Sequence, residues 1–514
     1  MSNGWEEFCK KVVSGDFTLT ELKREAEFHF NTYKVYPESI NVLAGCTLFM
    51  ARVNDQKKLV IIKDEPSRIF DDFTGEKIFA LNGKEIKVAS LNHDNAIVLR
   101  RWFPFTAPVT FGKEGMSIGL GDRLGIASPG HLRLIRNTKV RPVLAQQSVR
   151  ELNLTGRTYE DVLDAASWAV FQEGYRSGFS ADGDHLKTES EVKMVLDLGF
   201  TMITLDCSEK INNTATFMPK DQIETEYQKL PGEYRKALEV SYLGKEFSLR
   251  DLVITFDKES LQKIAVVYGE ALTFIKHIYL NVIRPAGKKV DFEVSIDETI
   301  TPTTPQAHFF VASELEKMGV EVTSLAPRFC GEFQKGIDYI GDLEQFEREF
   351  KIHAAIADYF GYRLSIHSGS DKFKVFPIIG RYTGGRVHVK TAGTNWLEAL
   401  KVIARKEPEL FREIYKFAVS HFNEAKKYYH VTADWTTVPD VSKMTDEDLP
   451  QVLGQNDVRQ VLHITYGLIL TSKDEKGKYL FRDAIYNILN SHEEDYYKVL
   501  GEHLEKHLSL LGAR

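Results

Sequence analysis

The sequence predicts an α/β chain organised around a closed (β/α)8 TIM barrel. Two observations carry that expectation: eight short strand-like runs recur between about residues 115 and 395, and a helical pattern follows most of them. The runs are Met116–Leu120, Arg141–Ser148, Gly178–Gly183, Thr201–Cys207, Asp291–Thr299, Glu321–Phe329, Arg363–Ser370 and Arg386–Gly393. Helical patterns lie at Tyr159–Tyr175, Glu189–Leu198, Lys258–Val282, Pro305–Met318 and Asp342–Phe360, with Trp396–Ile403 after the last strand. A doubly wound sheet also alternates strand with helix. Eight units over about 280 residues favour closure, since such barrels typically take about 250 residues.

The remaining chain divides around this centre. Residues 1–112 mix a helical pattern at Glu21–Phe30 with apolar runs at Lys58–Ile62 and Ala96–Leu99, and read as a small N-terminal α/β unit of no assignable role. The barrel is expected over 113–417, interrupted by an insertion at about 208–253 without clear internal pattern. Residues 418–514 read as a helical C-terminal extension packed on the barrel, notably at Asp457–Leu470 and Glu493–Leu511.

Composition narrows the class of function. Of 514 residues, 43% are hydrophobic, enough for a sizeable core, and 66 basic against 73 acidic residues leave a net charge of −7. That balance offers no global field for nucleic acid or an acidic membrane. Cys9, Cys46, Cys207 and Cys330 stand far apart, with neither a disulfide framework nor a C-x-x-C pair. No apolar run approaches the roughly 20 residues of a membrane span, and MSNGWEEFCKK carries acids where a leader would be apolar. A soluble cytoplasmic protein is expected.

Strand alternation then selects the inward set. In D-F-E-V-S-I-D-E-T, Phe292, Val294 and Ile296 suit the helix layer and leave Glu293, Ser295 and Asp297 facing the axis. In R-L-S-I-H-S, Ser365 and His367 face inward; in R-V-H-V-K-T, His388 and Lys390 do. The third strand delivers Asp182 and Asp184 on one face with His185 at its end, and the sixth ends near Arg328. The resulting inward list is Gln146, Asp184, Asp206, Glu293, Asp297, Arg328, His367, His388 and Lys390. A purely structural barrel interior is filled with branched apolar side chains, and burying unpaired charge costs several kcal/mol. So many polar groups at strand ends point to an active site.

Three imidazoles, His185, His367 and His388, come from the third, seventh and eighth strands and suit one divalent cation: zinc, manganese, cobalt or nickel. Asp297 or Glu298 are the rival ligands. Asp184 and Glu293 remain to exchange protons from opposite sides of a substrate. Arg328 with Lys390 suits a substrate carboxylate, although ion pairs with the acids would use the same residues. Gly119-Leu120-Gly121-Asp122-Arg123-Leu124-Gly125 imitates a dinucleotide fingerprint, but its third glycine falls one place late.

Several blocks resemble the tagaturonate epimerases: A-Q-Q-S-V-R-E (Ala145–Glu151), T-G-R-T (Thr155–Thr158), F-Q-E-G-Y (Phe171–Tyr175), D-F-E-V-S-I-D-E-T (Asp291–Thr299), K-G-I-D-Y-I-G-D-L (Lys335–Leu343), H-S-G-S-D-K-F (His367–Phe373) and H-V-K-T-A-G-T (His388–Thr394). The resemblance runs from roughly Gly119 to Leu400 and more weakly beyond; the first hundred residues contribute little. It implies a metal-dependent isomerase of hexuronate catabolism that inverts C4 between D-tagaturonate and D-fructuronate, with relatives acting on tagatose and fructose. It further implies Asp184 and Glu293 as the acid/base pair and His185, His367 and His388 as metal ligands. Gly183, between the two aspartates, stands out as a point that would loosen the loop aiming Asp184 and His185.

The chemistry constrains the route. With the ketone at C2, a C4 carbanion has no adjacent carbonyl, so inversion proceeds by retro-aldol cleavage of C3–C4 or by transient oxidation at C4. The weak glycine signal favours the aldol route. An aldose–ketose isomerase on the same barrel and a non-catalytic sugar-acid-binding protein are the alternatives. Expected partners are a sugar acid or ketohexose, with no nucleic acid or membrane; self-association is left open.

Overall fold

The computed structural model describes residues 4–15 and 17–513. Eight parallel strands close a barrel in sequential order: β1 (Ser117–Leu120), β2 (Arg141–Ser148), β3 (Ser180–Leu186), β4 (Met202–Asp206), β5 (Asp291–Ile296), β6 (Ser324–Pro327), β7 (Arg363–Ile366) and β8 (Val387–Thr391). Seven of the eight runs read from the sequence contain these strands; the third, Gly178–Gly183, overlaps β3, which continues to Leu186. Ile118, Leu144, Ile203, Leu205, Phe292, Val294, Ile296, Leu325, Leu364, Ile366, Val387 and Val389 lie in one buried cluster with the surrounding helices. The alternating partners of these residues are thereby aimed at the barrel axis.

The outer helices include α1 (Tyr159–Gln172), α2 (Glu189–Leu198), α3 (Lys258–Ile278), α4 (Pro305–Lys317), α5 (Leu343–Phe360) and α6 (Thr394–Lys406). Local chemistry sets their starts. Thr158 and Thr188 form capping boxes with Asp161 and Glu191, and Asp257 caps α3 through the Ser260 amide. The insertion after β4 has structure of its own. Two helices, Lys220–Lys229 and Gly232–Tyr242, each follow a proline, and an antiparallel hairpin pairs Glu246–Leu249 with Leu252–Thr255.

Before the barrel stands a five-stranded antiparallel sheet that includes Cys46–Val53 and Gln56–Lys63. After it, helices α7 (Asn456–Ile464) and α8 (Glu493–Leu510) belong to a helical region over the barrel, and the expected helix at Asp457–Leu470 breaks at Thr465. The N-terminal sheet and this region meet at Glu493. Its carboxylate accepts from Tyr36 Oη at 2.9 Å and lies 2.9 Å from Arg52 and 3.1 Å from Lys57. All four cysteines are free and buried. Among the described residues no helix is long and apolar enough to cross a membrane.

The glycines around the false dinucleotide fingerprint have a packing reason. A Cβ on Gly119 would sit 1.9 Å from Gln146 Oε1, and one on Gly121 would sit 2.6 Å from the Gln146 carbonyl. Asp122 closes the turn by accepting amide hydrogens from Leu124, Gly125 and Ala127. Gly183 likewise differs from its reading as a loose point. It lies inside β3, where a Cβ would meet Val195 of α2 at 2.9 Å.

Candidate active site

The C-terminal ends of the strands surround a cavity lined by Gln146, Asp184, His185, Asp297, His367 and Lys390 from the expected set. How His185 arrives there is instructive. It follows Asp184 directly, so strict alternation would turn it to the other face. Its left-handed φ of 54° and a register shift between Gly183 and Leu186 swing it into the mouth. There its ring meets His367 edge to face, with centroids 4.9 Å apart.

At the floor, Lys390 gathers the acids. Its ammonium donates to Asp184 Oδ1 at 2.6 Å, Asp182 Oδ2 at 2.8 Å and Thr204 Oγ1 at 2.5 Å, and lies 3.0 Å from Glu293 Oε1. Burial opposes its charge, but Asp182, Asp184 and Glu293 hold it well above the ordinary lysine value. Burial pushes Asp182 up to about 6 against the pull of Lys390, whereas Asp184 and Glu293, despite burial, are held low by Lys390 and the histidines.

Glu293 sits one layer down and does not line the cavity. It is fully buried, accepts from Ser324 Oγ at 2.5 Å and pairs with His367 Nε2 at 2.8 Å. The other nitrogen of His367 lies 3.1 Å from Asp297 Oδ1. Burial disfavours charge on this ring, yet Asp297 and Glu293 push it up to about 10. His388 is also below the cavity, opposite Ser365 and Ser117 in register, with Nδ1 held by Ser117 Oγ at 2.8 Å. Burial pulls it down to about 3 against the charge of Glu293.

The fit of this site to a divalent cation rests on its imidazole nitrogens. His388 Nε2 is buried without a partner, an expensive state for an imidazole. His185 Nδ1 and His367 Nδ1 make no hydrogen bond of good geometry and face the carboxylates of Asp206 and Asp297 at 3.5 and 3.1 Å. His185, Asp206 and Glu298 bring ligand atoms within reach of one another. Imidazoles flanked by carboxylates are the donor set that borderline divalent metals take. A second cluster, Asp371 with His503 and His507, is engaged otherwise. Asp371 binds Arg459 and His503 at 2.7 Å each, and its amide donates to His507 Nε2.

Of the two basic residues expected to meet a substrate carboxylate, Lys390 is committed to the acids of the floor. Arg328 lines an adjoining hollow with Asp297, Glu298 and Tyr428. The lining residues that escaped the sequence reading include Arg150, Gln334, Lys335, Tyr429 and His463. Arg150 and Lys335 fall in blocks singled out for their resemblance, but nothing in strand periodicity reaches Gln334 or Lys335 on the loop after β6 or His463 on α7.

A (β/α)8 barrel whose mouth is packed with acids, imidazoles and a buried lysine defines an enzyme. Its class is isomerase: the chain belongs to the tagaturonate epimerase family, whose model matches residues 36–511. It is 43% identical over 485 residues to the tagaturonate/fructuronate epimerase of Thermotoga maritima, covering 94% of this chain and 98% of that one. A glycerol-complexed crystal structure of the fructuronate–tagaturonate epimerase UxaE from Cohnella laeviribosi superposes with a TM-score of 0.91 at 50% identity, covering 97% of this chain and all of that one. The native crystal form of that enzyme matches equally, with a TM-score of 0.91. These similarities extend well before Gly119, so the N-terminal sheet belongs to the family architecture that the sequence blocks alone left out.

Proposed function

We propose that this chain interconverts D-tagaturonate and D-fructuronate by inverting C4, with a divalent cation and by retro-aldol chemistry. The observation that carries the reading is the meeting of His185 and His367 across the barrel axis, beside Asp184, in a chain 43% identical over 94% of its length to a tagaturonate/fructuronate epimerase. His185, His367 and His388 would hold the cation as the imidazole set. A second reading replaces His388 with Asp297, because Asp297 lines the cavity and His388 does not. When bound, the cation supplies Lewis-acid stabilisation of negative charge on the ketone oxygen.

The protein's own groups handle the protons. Asp184, facing the cavity, accepts the C4 hydroxyl proton as C3–C4 breaks, giving an aldehyde at C4 and an enediolate over C2 and C3. Lys390, held between Asp182, Asp184 and Glu293, keeps the acids in register as charge moves. The aldehyde fragment rotates and C3 adds to its other face. The C4 alkoxide so formed takes back the proton that Asp184 accepted: Asp184 and Glu293, both in contact with the Lys390 ammonium, pass it between them as the acid/base pair, while His367 holds Glu293 in place. Tagatose and fructose, which lack the carboxylate, would be secondary substrates.

Incubation with D-tagaturonate, with product followed by NMR and metal content measured on the purified protein, tests the reading. The C4 epimer is expected; an aldose product would replace it with an aldose–ketose isomerase. A substrate deuterated at C4 separates the routes, since a large primary isotope effect would favour oxidation at C4 over bond cleavage.

A further inference from the structure

Four basic side chains line the cavity: Arg150, Lys335, Lys372 and Lys390. Three are engaged. Lys390 is bound by acids, and Lys372 donates to the carbonyls of Gln334, Ile337 and Ser370 at 2.6–2.8 Å. Arg150 donates to the Tyr428 carbonyl at 3.1 Å and to Glu298 at 3.4 Å. Lys335 alone among the four has an ammonium with no hydrogen bond or ion pair to the described residues. The acid that would most naturally neutralise it, Glu151, already accepts two bonds from the buried Arg123, at 2.7 and 3.0 Å.

The backbone carrying Lys335 is fixed from outside the barrel. Gln460 Nε2 donates to the Lys335 carbonyl at 3.3 Å, and Arg459 Nε donates to the Gly336 carbonyl at 2.6 Å, both from α7. Gly336 has a φ of 79° and packs against His463, whose buried Nδ1 has no partner. This lysine is held in place without a partner, which suits it to an anion that arrives with the substrate. Burial pulls Lys335 below the ordinary lysine value, with Arg123 and Arg150 acting in the same direction against Glu151; a bound carboxylate would relieve both effects.

We infer that Lys335 binds the carboxylate of the uronate substrate and is the residue through which the enzyme distinguishes a sugar acid from a neutral ketohexose. The assignment rests on the proposed epimerase activity and takes the carboxylate-binding role from Arg328 and Lys390. It also makes the loop after β6 the specificity element of the site, with α7 as its support.

The test is the steady-state kinetics of the full-length, metal-loaded protein on D-tagaturonate. A charge-assisted hydrogen bond predicts that Lys335→Met raises KM about 10- to 100-fold. The kcat should stay within about 3-fold, as for binding shared by ground and transition states. Lys335→Arg should recover most of the loss, and both variants should keep the parental urea midpoint. An unchanged KM in Lys335→Met would overturn the assignment, as would a collapse of kcat at unchanged KM or an Arg variant no better than Met. Inactive wild-type protein would remove the epimerase reading and this one with it. Active wild-type protein with an indifferent Lys335→Met would remove this one alone.

Discussion

Glu493 offers the sharpest test of how the parts of the chain are joined. Its carboxylate, with a side chain 9% exposed, receives Tyr36, Arg52 and Lys57 from the N-terminal region and Tyr497 from its own helix. Burial opposes its charge, but Lys57 and Arg52 hold it down at about 2 against an ordinary 4.5. At about 1.36 kcal/mol per pH unit this displacement corresponds to roughly 3 kcal/mol of stability at neutral pH. The folded-state value is depressed, so the contribution is complete above 4.5 and is lost as pH falls towards 2. Glu493→Gln removes the charge and leaves Arg52 and Lys57 facing each other, which costs a similar amount. Native-state hydrogen exchange reads this locally. Amides of the strands Cys46–Val53 and Gln56–Lys63 should exchange about 100-fold faster in the variant at pH 7, with the ratio shrinking severalfold by pH 3.5. Equal exchange in the two proteins, or a ratio that ignores pH, would refute this account of the joint.

Other variants probe the barrel mouth. His185→Ala and His367→Ala should each abolish stoichiometric metal binding and lower kcat/KM by at least about 100-fold, measured by metal analysis and turnover. His388→Ala and Asp297→Asn, compared in the same assay, decide which supplies the third ligand. Gly393→Ala would drive a Cβ to 1.8 Å from His463 Nε2. It should displace α7, giving a lower thermal midpoint together with a raised KM for the uronate. Arg123→Met leaves Glu151 buried without its partner and removes a guanidinium stacked 3.7 Å above the Tyr466 ring. Urea unfolding should show a loss of about 3–5 kcal/mol.

Legibility in the sequence followed periodicity. The eight barrel strands were readable because their apolar residues alternate with polar ones or run together between helical patterns, and the same alternation named the polar floor. His185 was named only as the residue at the end of its strand, and the local reason it reaches the mouth, a left-handed residue beside a register shift, is not a pattern that sequence displays. The N-terminal sheet was read only in part, since Lys58–Ile62 is the apolar half of one strand and Ala96–Leu99 lies in the helix His93–Trp102. The insertion hid its helices because each is short, with only two fully buried residues. Lys335 and His463 reach one cavity from segments more than 120 residues apart; their proximity follows from tertiary packing of α7 over the mouth, which no local signal encodes.

The clamp on Asp371 has a consequence for synthesis. This residue, in the loop that follows His367, takes a left-handed φ of 61° and is held by Arg459, His503 and His507. The two histidines lie 132 and 136 residues further along the chain. At translation rates of about 5–20 residues per second, all eight barrel strands, the last ending at Thr391, leave the ribosome roughly 6–23 s before the loop after β7 acquires its two histidine anchors. During that interval the nascent barrel can pair its strands, and the loop beyond His367 is held by Lys372 on the Gln334 and Ile337 carbonyls and later by Arg459, but it lacks the histidine side of its clamp. The last contacts of that loop are therefore postponed to the arrival of α8, and a chain arrested before that helix would carry a closed barrel whose mouth lacks the His503 and His507 side of the clamp.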